Sequence, residues 1–342
     1  MRSLLSPARL LIAAVGLTAA VAAVLFLVPA DDTFLFLPDD PHAVEPLIAV
    51  EDRRPPADDG GGIFFVDVIV RRPTLIERLL PGVFHEGASV VPEHAINPTG
   101  LSDEERRRAS LQVMTRSQRI AAAVALREAG FDVTARATGA FVAQVIPDGA
   151  AAGSLHPSDV IVEVDGKEVR TLEDLRRSLL RRRPGDTVEV GVRRRSETKR
   201  FRLELGPSPV EPSRGFIGVV VEQSVDIRLP VDVKIEAGNV GGPSAGLAFA
   251  LGLLEELGRD VDRGRRVAVT GEIHLDGAVG AVGGIRQKTI GAREGGVDAF
   301  IVPAGDNAAE ARRYADGLRI VPVKTFQQAL RALATIPESD QD

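Results

Sequence analysis

Leu10 to Val28 is an apolar run without a charged side chain, eased only by Gly16 and Thr18. Nineteen residues at about 1.5 Å each make a helix of ~29 Å, close to the ~30 Å hydrocarbon core of a bilayer. Arg2 and Arg9 precede the run, and Asp31 and Asp32 follow it. The pattern predicts a cytoplasmic stub at 1–9, a transmembrane helix at 10–28 and the bulk of the chain outside the cytoplasm. A cleaved signal peptide is the rival reading, because Val28-Pro29-Ala30 supplies small residues for cleavage and would release a secreted protein. Signal-peptide cores usually run only about 7–15 residues, which favours the uncleaved anchor.

From Asp31 to Gly62 the chain is rich in Pro, Asp and Gly. Leu47 to Val50 is expected to pair with the β-branched and aromatic strand Ile63 to Val70. Thr74 to Leu80 reads as a short helix. Ser102 with Glu105 three residues on forms a capping box for a helix to Ala129, stopped at Gly130. Residues 31–130 are thus an extracytoplasmic α/β region with its linker, without a motif that names a chemistry.

Residues 131–206 alternate in a β-rich pattern. Strand Phe141 to Ile146, the turn Pro147-Asp148-Gly149, strand Val160 to Val164 and the hairpin turn Asp165-Gly166 come first. A helix capped by Thr171 and strands Thr187 to Arg193 and Lys199 to Leu205 follow. The string Ser158-Asp159-Val160-Ile161-Val162-Glu163-Val164-Asp165-Gly166-Lys167 resembles the core of a bacterial protease-associated PDZ domain. That resemblance implies a peptide carboxy terminus added as a strand beside Phe141 to Ile146, against the Leu172 helix. Thr138, Gly139, Ala140, Phe141 and Val142 are the implied peptide-binding residues, with the Thr138-Gly139-Ala140 loop at the carboxylate. The alternative is a β-rich spacer that only positions the next domain.

A Pro/Ser linker at 207–214 leads to a domain at 215–335, with a tail at 336–342. Two strands run into Gly241-Gly242-Pro243-Ser244-Ala245-Gly246, and an apolar helix Leu247 to Leu257 follows. A serine where a Gly-rich turn feeds a buried helix has an exposed hydroxyl near free backbone N–H groups, as a nucleophile with an oxyanion site requires. An ordinary serine turn is the plainer reading of that motif alone. Further on, Val267 to Thr270 reads as a strand, and Lys288 falls in the first turn of a helix starting near Gly284. The positive end of a helix and burial both disfavour an ammonium, so Lys288 is expected to titrate low and to serve as a general base.

Composition removes other chemistries. The chain has no Cys and five dispersed His residues, so thiolate chemistry and a histidine-paired metal site are not expected. A net charge of −6 and 4% aromatic residues argue against nucleic acid. The arginine runs Arg181 to Arg183 and Arg193 to Arg195 read as a solvated face.

Gly242-Pro243-Ser244-Ala245-Gly246, Val269-Thr270-Gly271-Glu272-Ile273 and Gly283-Gly284-Ile285-Arg286-Gln287-Lys288 stand in that order. Together they resemble the proteolytic domain of Lon-type Ser–Lys proteases. The resemblance implies Ser244 as nucleophile and Lys288 as base. Thr270 is expected beside the dyad, bonded to the lysine, and Gly242, Pro243 and Ala245 around the oxyanion. Lon proteases often carry Asp three residues before the nucleophile, where this chain has Gly241, and no Gly-x-x-x-x-Gly-Lys-Ser/Thr loop occurs in the sequence.

The fold expected is therefore α+β and multidomain: a transmembrane helix, a small α/β region, a PDZ-like module and a Lon-like domain. The order resembles membrane-anchored bacterial PDZ–Lon proteases. It implies an ATP-independent serine endopeptidase acting on protein or peptide substrates, without cofactor or metal, and assembling as a homo-oligomer. A non-catalytic PDZ scaffold with an inert Lon-like domain is the competing class.

Overall fold

The computed structural model describes residues 7–51, 60–97, 102–147, 149–209 and 211–336. The Glu105 side chain of the expected capping box, Asp148 of the expected turn, most of the 51–59 linker and the tail from 337 lie outside these residues.

Helix α1 (Pro7–Leu27) opens the chain, with its side chains described from residue 11. Among the described residues no helix is long and apolar enough to cross a membrane. The expected transmembrane helix is therefore not supported. The end of α1 packs on the body: Phe26 meets the Phe84 ring edge-on at 6.1 Å, and Leu75 N–H donates to the Val28 carbonyl at 3.1 Å.

Strands β1 (Thr33–Pro38), β2 (His42–Ala43), β3 (Ile48–Val50), β4 (Gly62–Phe65) and β5 (Val68–Arg71) come next. The expected pairing of Leu47–Val50 with Ile63–Val70 does not occur. Ile63–Val70 breaks at Val66-Asp67, so that β4 and β5 enter different sheets. Helix α2 (Leu75–Leu79) carries a full Thr74–Glu77 capping box. Strand β6 (Ser89–Pro92) completes an antiparallel sheet of order β5-β1-β6. The 26-residue helix α3 (Asp103–Glu128) then crosses the back of the molecule.

The PDZ-like module holds β7 (Thr134–Val145), β8 (Val160–Val164), helix α4 (Leu172–Leu179), β9 (Thr187–Arg194) and β10 (Glu197–Glu204). Beyond it run β11 (Val219–Arg228), β12 (Val233–Ile235), helix α5 (Gly246–Glu256), β13 (Arg266–Val269), helix α6 (Ile285–Glu294), β14 (Ala299–Pro303), helix α7 (Asp306–Tyr314), β15 (Arg319–Val323) and helix α8 (Phe326–Leu333).

The main sheet has the order β2-β4-β13-β14-β15, parallel except for β2. Val267-Ala268-Val269 of β13, after the exposed Arg266, and Ala299-Phe300-Ile301-Val302-Pro303 of β14 are continuous apolar runs, as strands covered on both faces must be. Helix α5 is apolar from Gly246 to Leu254, closes on Glu255 and Glu256, and has every residue buried, the mark of a central helix. One core joins Val44, Ile63 and Phe65, α3 from Ile120 to Leu126, α5 from Leu247 to Leu254, and Val267 and Val269. Thus the region at 31–130 is structurally part of the same body as the carboxy-terminal segment. β4 is a strand of its sheet, and β12 pairs with β3 at Val233↔Val50 through Ile235↔Ile48. The PDZ-like module stands between α3 and β12 with its own core of Val142, Ile161, Val188, Val190 and Leu203.

β11 follows the expected linker at 207–214 but is bound to the sheet before it. This strand lies on the PDZ-like sheet, whose order is β10-β9-β8-β7-β11, and pairs antiparallel with β7 from Val219↔Val145 to Arg228↔Thr134.

Candidate active site

Ser244 sits on the turn between β12 and α5, with Ala245 as the helix cap. The turn is fastened on several sides. Gly242 N–H donates to the Ser110 carbonyl at 3.1 Å, and Ser117 Oγ donates to the Pro243 carbonyl at 3.2 Å, both partners lying on α3. Gly246 N–H donates to the Pro243 carbonyl at 3.1 Å. The Ser244 carbonyl accepts from Gly271 N–H at 2.8 Å and from Thr270 Oγ1 at 3.2 Å.

A side chain at 241 would meet the Ser110 side chain. A Cβ there would lie 2.2 Å from Ser110 Oγ and 3.0 Å from Ser110 Cβ. An aspartate at this position, where Lon proteases often carry one, would need the Ser110 hydroxyl to turn away and α3 to give slightly.

Lys288 lies on the first turn of α6, which starts behind Gly284 in the left-handed region at φ 70°. Its side chain is 3% exposed. Lys288 Nζ lies 3.2 Å from Ser244 Oγ and also donates to the Val66 carbonyl. Burial lowers the lysine from 10.5 to about 8, while the nearby Asp67 carboxylate pulls the other way. Asp67 is itself pushed up to about 6, first by burial and then by its hydrogen bond and charge contact with Asp39.

Thr270 is fully buried, but its hydroxyl is bonded to the Ser244 carbonyl and not to Lys288 as expected. Of the expected oxyanion group, Gly242 has spent its N–H on Ser110, and Pro243 has none to give. Among the described hydrogen bonds the N–H groups of Ser244 and Ala245 remain uncommitted.

The expected peptide edge is not open. Gly139 to Val145 pairs with β11 throughout, Ser224↔Gly139 to Val219↔Val145, while Ala140 and Phe141 pair with β8 on the other side. Thr138, Gly139, Ala140, Phe141 and Val142 therefore stand in the interior of a sheet.

Sequence reading missed Val66 and Asp67, which the end of β4 brings to the lysine, and the α3 serines Ser110 and Ser117. A lone carboxylate inside Phe64-Phe65-Val66-Asp67-Val68-Ile69-Val70 was the available signal, since a charge in a buried run is costly without a partner. Asp67 joins Asp39 and His42 in a group whose ligand atoms lie within 4.8 Å, and Glu255, Asp260 and Asp262 form a second. His42 Nε2 is 3.3 Å from Asp39 and 3.6 Å from Asp67, and Glu255 accepts from the N–H groups of Val261 and Asp262. Both groups have spacing that suits a cation, and both are also held together by these contacts.

Residues 128–205 match the PDZ domain family, and residues 220–335 match the Lon protease (S16) C-terminal proteolytic domain. Lon protease 2 of Bacillus subtilis is 32% identical over 120 residues, covering 35% of this chain and 20% of that protein. Lon protease 1 of Sorangium cellulosum is 28% identical over 296 residues, covering 75% of this chain and 36% of that protein. The second alignment reaches well beyond residues 220–335, and the chain spans between a fifth and about a third of these relatives. The PDZ domain of the SdrC-like protein from Listeria innocua is 24% identical, with a TM-score of 0.24, covering 25% of this chain and 96% of that one. This is a chain in which a Lon-type proteolytic domain is joined to a PDZ domain.

Proposed function

We propose that the chain is an ATP-independent serine endopeptidase with a Ser244–Lys288 dyad. The observation that carries this reading is the 3.2 Å approach of Lys288 Nζ to Ser244 Oγ, in a buried setting that lowers the lysine to about 8. Neutral Lys288 accepts the Ser244 hydroxyl proton as Oγ bonds to the scissile carbonyl carbon. The uncommitted N–H groups of Ser244 and Ala245 receive the developing oxyanion. Collapse breaks the C–N bond, and the Lys288 ammonium returns its proton to the leaving amine. Water then attacks the acyl-enzyme, giving a proton to Lys288, and Ser244 Oγ leaves with that proton restored.

The sequence carries no nucleotide-binding loop of the Gly-x-x-x-x-Gly-Lys-Ser/Thr type, so substrates must arrive unfolded or extended. The PDZ-like module acts on cleavage through the body of the protease, since its peptide edge is already paired. Association into a homo-oligomer rests on the likeness to Lon proteases.

The location proposed is a membrane to which the amino-terminal segment attaches the enzyme. It is supported by the uncharged run Leu10 to Val28 and its flanking charges. Leu11, Leu17 and Leu27 of α1 are exposed, and so are Leu79, Leu80 and Val83 beside its end. Water disfavours an apolar surface of that extent.

The test is incubation of the full chain in detergent, wild type and Ser244→Ala, with an unfolded protein and no ATP. Cleavage by the wild type alone supports the reading. Equal cleavage by both removes Ser244 as nucleophile, and none by either moves the weight to an inert scaffold.

A further inference from the structure

β11 enters the PDZ-like module as a peptide ligand would. It runs antiparallel to β7 on the edge facing α4, over ten residues of the strand. Where β11 passes the Thr138-Gly139 end of the groove, its Gln223 side chain bridges the loop and the start of α4. Gln223 Oε1 accepts from Leu172 N–H, the first residue of α4, at 3.2 Å. Gln223 Nε2 donates to the carbonyls of Gly139 at 3.0 Å and Arg170 at 2.9 Å. One amide thus satisfies the first N–H of α4 and two loop carbonyls that would repel a carboxylate, and the Gly139 N–H is itself spent on the Arg170 carbonyl. Ser224, beside it, has its hydroxyl 3.0 Å from that of Thr138.

The outer face of this strand is held from the protease body. Arg116 of α3 pairs with the Glu222 carboxylate, donates to the Gln223 carbonyl at 2.5 Å, and lies 4.8 Å over the Phe141 ring. Arg119 donates to the Ile227 carbonyl at 2.7 Å. The same helix holds the nucleophile turn through Ser110 and Ser117. Gln112, which takes the Ser158 hydroxyl, stands with Arg116 and Arg119 at i, i+4 and i+7, on the stripe turned to the module.

We infer that β11 is the built-in ligand of the PDZ groove: the chain's own strand fills the peptide edge permanently, excludes free carboxy termini and ties the module to α3. An incoming peptide of micromolar affinity gains about 8 kcal/mol at most. It would have to replace ten residues of pairing, the Gln223 contacts and both arginine grips, while β11 stayed tethered at a high effective concentration. The inference does not depend on peptidase activity.

The chain has no cysteine, so the full-length Thr138→Cys/Ser224→Cys variant reads the pairing directly. The expected result is near-complete disulfide formation on mild oxidation, at a rate unchanged by millimolar amounts of a ten-residue peptide with a free apolar carboxy terminus. The same peptide, fluorescently labelled, should show no saturable binding to the wild type. Slowing of the crosslink more than threefold by the peptide, or saturable wild-type binding that the crosslink abolishes, would show a displaceable strand and overturn the inference. A folded variant that fails to crosslink would overturn it as well. Should the variant not fold, amide exchange of the wild type decides: Val142 N–H is taken by the Asp159 carbonyl on the β8 side, so the ladder turns the amides of Phe141 and Glu222 across the β7–β11 pair, and these must be as protected as those of β13 and unmoved by peptide. Loop-like exchange, or exchange accelerated by peptide, would refute the filled groove.

Discussion

Thr270 Oγ1 donates to the carbonyl oxygen of Ser244 at 3.2 Å, and the next residue's N–H shares that acceptor at 2.8 Å. The hydroxyl fixes the backbone of the nucleophile, so it sets where Oγ points relative to Lys288. Thr270→Val keeps the shape and removes the donor, leaving the carbonyl with one bond. The expected outcome is a fall of about tenfold in kcat with KM little changed and a stability loss of about 1 kcal/mol. Thr270→Ser should restore most of kcat, which steady-state kinetics on a short peptide can check.

Removal of either dyad member should abolish cleavage. Ser244→Ala and Lys288→Met are each expected to lower kcat by at least about 10³-fold, and the double variant should be no worse than either single one, as for groups that act as a unit. A double variant a further 10³-fold slower would place the two residues in independent roles.

Activity should rise with pH. Lys288 must be neutral to take the serine proton, and its value of about 8 lies far below 10.5. Below pH 8, kcat/KM should climb close to tenfold per unit, then level above pH 9. Asp67→Asn removes the carboxylate that holds the lysine up, so the rising limb should move to lower pH. A limb that stays in place would deny Asp67 an electrostatic role.

Much of this site could be read in the chain, and the reason for the remainder is physical. Ser244 and Lys288 stand at helix starts marked by glycines, which local sequence specifies. Val66 and Asp67 come to the lysine only through parallel pairing of β4 with β13, about 200 residues away in the chain, and no local pattern encodes that. The strand β1, Thr33-Phe34-Leu35-Phe36-Leu37-Pro38, was hidden by its Pro/Asp surroundings. The PDZ-like strands were legible from alternation and turns, but the filling of their edge by β11 was not. A strand with apolar residues on alternate positions fits many edges, and what selects this one is Gln223, Arg116 and Arg119 at long range.

The turn before the nucleophile should reject a side chain at 241. Gly241→Asp would drive its Cβ to 2.2 Å from Ser110 Oγ and 3.0 Å from Ser110 Cβ, so the hydroxyl must swing away and the turn or α3 give slightly. A loss of about 1–3 kcal/mol is expected, together with lower kcat, since the Gly242–Ser110 bond lies beside the clash. Adding Ser110→Ala removes the nearest atom and should recover part of both losses, a non-additivity that thermal melts and kinetics can measure. Additive losses would mean that the Ser110 hydroxyl does not obstruct a side chain at 241.

The buried lysine should weaken the fold where it is charged. Between pH about 8 and 10.5 the folded state has released the Lys288 proton while the unfolded chain still holds it, so unfolding binds protons and stability rises with pH. Below pH 8 both states are protonated and the full cost remains, roughly 3 kcal/mol for a shift of this size. Lys288→Met fills similar volume without a charge and should therefore melt higher than the wild type at pH 7, by several degrees in a protein of this length. The difference should shrink toward pH 10, where wild-type Lys288 is neutral in the folded state. Calorimetry of both proteins at pH 7 and 10 measures this directly. An inactive variant that is also more stable would identify Lys288 as a residue kept for chemistry at the expense of the core, whereas a destabilised one at pH 7 would mean that the Val66 carbonyl and Asp67 already compensate the charge.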